Sequence, residues 1–495
     1  MTDQFVPIPD DALPEFDELY SISDLHLGGL PGFQIFNSGD QLKNLIDHLR
    51  TLPAERRVAL VINGDFVDFL AEAPSRHFDP YNAIEKLNRI SSEPAFAMAW
   101  QALQEFTQTV NRTLIVNLGN HDLELALPWV RHRLLEILSD NDPTARGRIA
   151  FSFEGAGVRC RVGNATVLCV HGNEVDDWNL ADYETLRRIG RDIVQGKAVA
   201  DWQPNAGAKM VIEVMNDLKK QFPFVDLLKP EVEGVLPTLA ALAANKREKL
   251  DEIAGVASRL AWDTVRRMTG FLSAEEAKLA TPVAPARPSN RVAAQKTTRS
   301  FKDDLLLKTE ERLDRGIDPL DLVQRDQSGE MLGFRSALWQ RITGAEPSEV
   351  LRDALEQLQQ DRSYEFGVED ATFTSLDGLI SGNIDFLIAG HTHLERALCR
   401  KQGRGFYFNS GTWARLIKLE NDVLTDADKF RAVYDAFAAG SMQKLDDFPN
   451  LVLHRLTVVS VWTDAGKTHG ELRRVDRALK KFTFTPVDGT RFTKA

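Results

Sequence analysis

The feature that most constrains this chain is a set of five short polar segments, each placed directly after an apolar run that predicts a β-strand. Helical patterns alternate with these runs, which favours a layered α/β core. In open α/β sheets, ligands bind beyond the carboxyl ends of the strands, so the polar segments predict a functional site at a sheet edge. The segments are Ser23-Asp24-Leu25-His26, Gly64-Asp65-Phe66-Val67-Asp68, Gly119-Asn120-His121-Asp122, His171-Gly172-Asn173 and Gly390-His391-Thr392-His393.

Two of these segments carry metal-binding residue types at i, i+2 spacing: Asp24 with His26, and His391 with His393. In an extended segment such pairs point to the same side, where they can serve one cation or one each of two. Carboxylate and imidazole suit Mn²⁺, Fe²⁺, Zn²⁺ or Ni²⁺. The whole set offers more ligands than one ion needs. Two ions about 3.5–4 Å apart would use them all and suit phosphoryl chemistry.

Each segment alone has a simpler interpretation. A lone histidine after a strand is more often a hydrogen-bonded structural residue than a ligand, and Gly64-Asp65 is typical of a strand-ending turn. For Asp68 the alternative is a charge at a helix N-terminus, and Asp122 is predicted to cap a helix. The order and placement of all five segments together favour a metal site.

Secondary-structure patterns divide the chain into three parts. We predict a catalytic core built from residues 1–172 and 381–495, interrupted by a mostly helical insertion at 173–380. Within the insertion, Thr281–Ser300 has the composition of a linker or exposed loop. After it, the run Leu451–Trp462 is long and rich in Val, Leu and Thr, which predicts sheet. One buried helix face is predicted at Phe96, Trp100, Leu103, Phe106 and Val110.

Composition excludes some function classes. With 60 Lys and Arg against 72 Asp and Glu, the net charge is −12, which argues against coating nucleic acid through a general positive field. The 3 cysteines show no CxxC spacing, which fits a reducing compartment. We see neither a signal peptide nor an apolar run of the about 18 residues that a membrane helix needs. We therefore expect a cytoplasmic protein.

The five segments, in this order, resemble the motif blocks of the calcineurin-like metallophosphoesterase superfamily. The resemblance covers residues 18–172 and 384–415, including the segment Asn409-Ser410-Gly411-Thr412-Trp413. It implies a four-layer α/β/β/α sandwich with a dinuclear metal site at the sheet ends. The helical insertion would then form a cap.

The resemblance also implies roles for the site residues. Two divalent ions are expected, most readily Mn, with Fe, Zn and Ni as alternatives, and Asp65 would bridge them. His121 would be the general acid beside the leaving group, with Asp68 orienting it. One ion would be held by Asp24, His26 and His393. The other would be held by Asn120, His171 and His391.

The substrate class is indicated less sharply. The segment His171–Asp176, followed by an insertion, is similar to bacterial enzymes that hydrolyse UDP-2,3-diacylglucosamine and carry a helical cap. Those enzymes typically have arginine where this chain has His121, and its insertion is far longer, so we expect a capped relative and not the same enzyme. Asp176 and Trp178 are predicted at the rim, where they either contact substrate or turn the chain into the insertion.

We expect hydrolysis of a phosphomonoester, phosphodiester or pyrophosphate bond by a metal-bridging hydroxide, on a small or lipid-linked substrate. A nuclease with the same site is one alternative. It is supported by a cluster of basic residues, although such a cluster usually forms a solvated face. The other alternative is a non-catalytic scaffold with a partner-binding helical module, against which the complete ligand set argues. The basic cluster comprises Arg473, Arg474, Arg477, Lys480 and Lys481.

Overall fold

The computed structural model describes residues 12–199, 201–219, 224, 227, 346, 348–349, 351–352, 364–417, 421–448, 451–476 and 482–494. The strands are β1 (Glu15–Phe16), β2 (Glu18–Ile22), β3 (Val58–Asn63), β4 (Arg112–Asn117), β5 (Ile149–Ser152), β6 (Val158–Val162), β7 (Ala165–Cys169), β8 (Phe386–Ala389), β9 (Glu395–Cys399), β10 (Phe406–Ser410), β11 (Leu416–Ile417), β12 (Val452–Leu453), β13 (Thr457–Asp464), β14 (Lys467–Val475), β15 (Phe484–Pro486) and β16 (Phe492–Thr493).

The described helices are α1 (Gly39–Thr51), α2 (Ala83–Ser92), α3 (Ala97–Gln108), α4 (Pro128–Ser139), α5 (Pro143–Arg146), α6 (Tyr183–Val194), α7 (Ala206–Met210), α8 (Asn216–Lys219), α9 (Ala371–Leu379), α10 (Asn421–Thr425), α11 (Ala427–Ala438) and α12 (Met442–Asp446). A π-helical turn, Val211–Met215, lies between α7 and α8. Short 3₁₀ helices are Pro94–Phe96, Leu123–Ala126 and Asn173–Val175. None of the described helices is long and apolar enough to cross a membrane.

The chain divides into two compact units. The first takes in Met1–Leu228, Asp361–Glu420 and Ala439–Ala495, and it contains every strand named above. The second takes in Lys229–Gln360 and Asn421–Ala438. Of the second unit, α10 and α11 are described helices. The bounds that the sequence predicts for the insertion, 173–380, stay a prediction, and Thr281–Ser300 lies outside the described residues.

Two large sheets organise the first unit. The larger has the order β15-β14-β13-β2-β3-β4-β5, with β16 beside β14, and the smaller has the order β1-β6-β7-β8-β10-β9. Strands β2 to β5 run parallel, whereas β13 joins β2 antiparallel. In the smaller sheet β8 lies parallel to β7, with Val167 opposite Phe386. Strands from both ends of the chain therefore share both sheets.

Alternating side chains separate the cores on the two faces of each sheet. In β3, Ala59 and Val61 join a core between the sheets, which also takes in Phe386 and Ile388 of β8. On the opposite face of the larger sheet, Leu60 joins a core with helices α1 to α4. Across the smaller sheet, residues of α9 pack against the outer face of β7, β8 and β10. This is the four-layer α/β/β/α sandwich that the sequence predicts.

Strands β6 and β7 pair antiparallel across a hairpin at Gly163-Asn164, where Gly163 has a φ of 56°. Two local predictions can be compared with the structure. Val110 is not part of the buried helix face, because α3 ends at Gln108 and Val110 is 60% exposed. The sheet predicted at Leu451–Trp462 is present but divided into two strands: β12 pairs with β11, and β13 begins at Thr457 in the larger sheet.

Candidate metal centre

The five polar segments meet where strands of both sheets end. Those that hold Asp24, Asp65 and Asn120 follow β2, β3 and β4 of the larger sheet. Those that hold His171 and His391 follow β7 and β8 of the smaller sheet. Neighbouring parallel strands end at the same edge, and the paired sheets bring the two edges together. The hydrogen bond from His391 N to Asp24 Oδ2, at 3.0 Å, joins residues from the two ends of the chain.

The i, i+2 spacing predicts that the metal-binding side chains come from extended backbone, and this prediction is wrong. Asp24 and His26 have φ of 55° and 50°, and His391 and His393 have φ of 69° and 62°. Asp65 lies in the same left-handed region, with φ 49°. Each such residue costs about 1–3 kcal/mol of backbone strain, which surrounding structure must offset. The pairs share a side because the chain turns sharply at both members, not because it alternates.

Among the residues that the structure describes, three groups of donor atoms arise, and in each group all atoms lie within 4.8 Å of one another. Their distances suit a cation better than direct contact. Nε2 of His26 and Nε2 of His393 lie 3.1 Å apart, which a cation about 2.1 Å from each nitrogen would satisfy. Nε2 of His393 is also 3.4 Å from Asp24 Oδ1. The groups are Asp24/His26/His393, His26/Asp65/His121 and Asp65/His171/His391.

Two donor atoms show how well the site suits divalent ions. His171 bonds through Nδ1 to the carbonyl oxygen of Asn63 at 2.8 Å, which turns Nε2 toward Asp65 Oδ2, 3.2 Å away. This is the arrangement typical of metal-binding histidines, whose second nitrogen is held by a protein acceptor. Nε2 of His171 and Oδ1 of Asn120 are both buried and make no hydrogen bond within the described chain. Lone pairs left in this way fit cation ligands.

Asp68 lies between two histidines. Its Oδ2 is 3.4 Å from Nδ1 of His26, and its Oδ1 is 3.3 Å from Nδ1 of His121. The alternative of a helix N-terminal charge was wrong, since the next described helix begins at Ala83. The carboxylate can therefore orient both rings, of which His121 remains 18% exposed.

The ionisation of these groups follows from their neighbours. Burial raises the pKa of Asp24, but the nearby imidazole of His393 outweighs it, and the pKa falls to about 2. The pKa of Asp68 is held well below its ordinary value against the same burial effect, chiefly by the charge of His121. Burial lowers the pKa of His121, yet the charges of Asp68 and Asp65 raise it to about 9. The carboxylates are thus ionised at neutral pH, as cation binding requires.

Close packing makes two glycines of the motifs necessary. A Cβ on Gly119 would lie 2.2 Å from Oδ1 of Asp65, and one on Gly390 would lie 2.7 Å from Oδ2 of Asp24. Such distances are far below ordinary contact. Both glycines let a neighbouring loop approach a candidate ligand directly.

The segment that resembles the family's Asn-Ser-Gly block supports the loops from behind. Nδ2 of Asn409 donates to the carbonyl oxygen of Gly390 at 2.6 Å, and Thr412 Oγ1 donates to the carbonyl oxygen of Asp24 at 2.7 Å. Ser410 Oγ and Ser23 Oγ lie 2.7 Å apart. The strand end β10 therefore fixes backbone on either side of the metal-binding pairs.

Asp122 has a different place from the one predicted. It precedes the 3₁₀ helix Leu123–Ala126 but makes no side-chain capping bond. Its carboxylate instead accepts from the backbone N–H of Phe66 at 2.8 Å and of Gly119 at 2.7 Å. Burial and the charge of Asp65 raise its pKa to about 7. Asp122 thus joins the loops that follow β3 and β4.

Asp176 lies closer to the centre than a rim residue would. Its Oδ2 is 2.9 Å from Nε2 of His391, and its side chain is 30% exposed. Trp178 donates its backbone N–H to Asp176 Oδ1 at 2.9 Å. Asn179 also belongs to the site, because its amide bonds to Asp176 and lies 3.4 Å from Asn120. Sequence reasoning missed Asn179 and Asn63, since single amides outside a motif carry no metal-binding signal.

Comparison with known proteins covers most of the site. Residues 19–222 match the family model described as calcineurin-like phosphoesterase, a range that holds four of the five segments and leaves out Gly390–His393. A comparison with curated proteins found no match to this chain. The matched domain, the sandwich and the clustered Asp and His donors agree with one another. Residues 19–222 are thus a calcineurin-like phosphoesterase domain, and the protein is a metal-dependent phosphoric ester hydrolase.

Proposed function

We propose that the protein uses two divalent ions, held by seven residues, to hydrolyse a phosphomonoester, phosphodiester or pyrophosphate bond. The observation that carries this proposal is the position of Asp65. Its Oδ2 lies 3.2 Å from Nε2 of His171 and 3.7 Å from Nε2 of His26, and it belongs to donor groups on both sides. A carboxylate so placed suits a bridge between two ions.

The other ligands divide on either side of Asp65. Asp24, His26 and His393 would hold the first ion. Asn120, His171 and His391 would hold the second. Manganese is the metal we propose, with Fe, Zn and Ni as alternatives, because a mixed carboxylate, amide and imidazole set suits borderline ions. When bound, two such ions activate water as a nucleophile and neutralise charge that develops on the phosphoryl oxygens.

The residues of the chain itself supply the proton transfer. His121 is partly exposed beside Asp65, so it can reach the leaving-group oxygen of a bound substrate and donate a proton to it. Asp68, at 3.3 Å, holds Nδ1 of His121 and favours the protonated ring. An alkoxide leaves poorly without that proton, so the contribution of His121 is greatest for substrates with poor leaving groups.

We propose a small or lipid-linked substrate, reached past a helical cap formed by the insertion. The similarity of His171–Asp176 to enzymes that hydrolyse UDP-2,3-diacylglucosamine supports a capped relative of that group. Asp176 and Trp178 remain candidates for substrate contact, as residues of the segment beside His391. Cys160, Cys169 and Cys399 are free, which supports the proposed cytoplasmic setting.

The described part of the basic cluster does not favour a nuclease. Arg473 pairs with Glu471 and stacks on the ring of Trp462, 4.9 Å from its centroid. Arg474 pairs with Glu395. These guanidinium groups already have carboxylate partners within the fold. Arg477, Lys480 and Lys481 lie outside the described residues.

Replacement of the proposed ligands tests the function. Asp65→Ala and His391→Ala should each lower the hydrolysis of a bis-aryl phosphate in Mn²⁺ by at least about 10²-fold, because a lost ligand displaces an ion from the reacting phosphate. Asp177→Ala is the matched control, since Asp177 is exposed two residues before Asn179 and should keep wild-type activity. Wild-type rates in both ligand variants would contradict the proposal.

A further inference from the structure

We propose that Asp176 and Asn179 are positioning residues for the second ion: Asp176 holds Nε2 of His391, and Asn179 holds the amide nitrogen of Asn120. The inference rests on the ligand set proposed above. It gives a purpose to the short segment from His171 to Asn179, which would supply one ligand of that ion, His171, and orient two further ligands.

The carboxylate of Asp176 is built as a fixed acceptor. Its Oδ1 accepts from the backbone N–H of Trp178 at 2.9 Å, and its Oδ2 accepts from Nδ2 of Asn179 at 2.8 Å. The same Oδ2 lies 2.9 Å from Nε2 of His391. Because the two local donors set the orientation of the carboxylate, His391 Nε2 meets an acceptor that is already in place. Nε2 then carries the proton, and Nδ1 keeps its lone pair.

His171 is oriented in the same way, but its two ring nitrogens have the opposite roles. Its Nδ1 is held by the carbonyl oxygen of Asn63 at 2.8 Å, so Nε2 is the atom near Asp65. In His391 the held atom is Nε2, so Nδ1 is the atom offered to the group that includes Asp65 and His171. A protein acceptor on the second nitrogen fixes the tautomer and the ring orientation of a metal-binding histidine.

Asn179 acts on Asn120 in a parallel way. Nδ2 of Asn120 lies 3.4 Å from Oδ1 of Asn179, so Oδ1 of Asn120 is the buried atom left without a hydrogen bond. The start of α7 confines Asn179, since Gly207 donates its N–H to the carbonyl oxygen of Trp178 at 2.8 Å. A Cβ on Gly207 would lie 2.0 Å from Asn179 Oδ1. Helix α7 thus restrains Asn179 and, through it, the proposed ion ligand Asn120.

The test measures ion binding and not turnover. Metal-free full-length protein would be titrated with Mn²⁺ by calorimetry and by the electron paramagnetic resonance of free Mn²⁺. Wild type should bind two ions. Asp176→Ala should bind one of them about 10–100-fold more weakly, the usual effect of losing such a partner, and the other with unchanged affinity. Asp177→Ala, which removes the same charge from the next residue, should match wild type.

Conservative variants separate positioning from a general loss of structure. Asp176→Asn keeps an acceptor oxygen without the charge and should recover part of the lost affinity, and it also replaces Asp176→Ala if that variant fails to fold. Gly207→Ala should lower the affinity for the same ion, because the added Cβ would push Asn179 away. Two ions bound with wild-type affinity in Asp176→Ala and Asp176→Asn would overturn the inference while leaving the proposed function intact. If the wild-type protein itself binds no ion, this inference and the proposed function are both contradicted.

Discussion

Gly119→Ala provides a sharp test of how the loops build the site. Gly119 precedes the proposed ligand Asn120 and lies against Asp65. The added Cβ would lie 2.2 Å from Oδ1 and 2.3 Å from the backbone N of Asp65. Since ordinary contacts are about 3.5 Å, Asp65 or the loop must move by about 1 Å. A backbone atom is involved, so a rotation of the side chain alone cannot relieve the clash.

Two effects of different size follow. Overpacking of this kind lowers the free energy of unfolding by about 1–3 kcal/mol. A displacement of about 1 Å at a reacting centre costs on the order of 10²-fold in rate. The fold should therefore survive in Gly119→Ala, while hydrolysis of a bis-aryl phosphate in Mn²⁺ falls by about two orders of magnitude.

The assay combines the hydrolysis rate with urea unfolding of the same variant. Gly378→Ala is the control: Gly378 lies in α9, and no described atom lies within 4 Å of its added Cβ. This variant should gain about 0.5–1 kcal/mol of stability from helix propensity and keep its rate. A wild-type rate in Gly119→Ala would refute the role assigned to the close approach of Gly119 and Asp65.

Three further predictions concern the acid, the ions and the scaffold. His121→Ala should lose about 10²–10⁴-fold in rate on alkyl phosphoesters and much less on aryl ones, and an equal loss on both would contradict a general-acid role. Chelation of the ions should lower the melting temperature and Mn²⁺ should restore it, since ligand at 100 times its Kd adds about 2.7 kcal/mol; an unchanged melting temperature would argue against bound ions. Arg112→Ala should lower the free energy of unfolding by on the order of 3 kcal/mol, because this 1% exposed guanidinium donates to several backbone carbonyls, each costing about 1–3 kcal/mol if left unpaired. Arg187→Ala, on an exposed side chain, should stay within about 0.5 kcal/mol of wild type in the same unfolding measurement.

The sandwich could be predicted because its signals are local. The run Val58–Asn63 is buried at all of its positions, as a central parallel strand requires, and its polar segment follows directly. Polar segments at the ends of parallel strands must converge once the strands form a sheet. That convergence depends on topology alone, so it follows from the order of the segments.

The geometry of the ligands could not be predicted in the same way. Asp24 has left-handed backbone, and its carbonyl oxygen accepts a hydrogen bond from Thr412, which lies near the other end of the chain. Spacing along the sequence carries no such information. The contact between Asp176 and His391 could not be predicted either, because the two residues lie 215 positions apart in the sequence.

The division of Leu451–Trp462 into two strands has a clear physical cause. Arg455 donates to the carboxylate of Glu395 and to the carbonyl oxygen of Tyr364, and these partners interrupt the run between β12 and β13. The charge of Arg455 inside an apolar run is the sequence signal for this break, whereas β propensity indicates only that the run forms sheet.

The most direct test of the dinuclear centre is a crystal structure of the Mn²⁺-loaded protein with anomalous scattering recorded at the manganese edge. The seven-residue ligand set predicts two anomalous peaks about 3.5–4 Å apart, with the carboxylate of Asp65 between them. One of the peaks should lie against His26 and His393, and the other against His171 and His391. A single peak, or peaks away from Asp65, would contradict the dinuclear site.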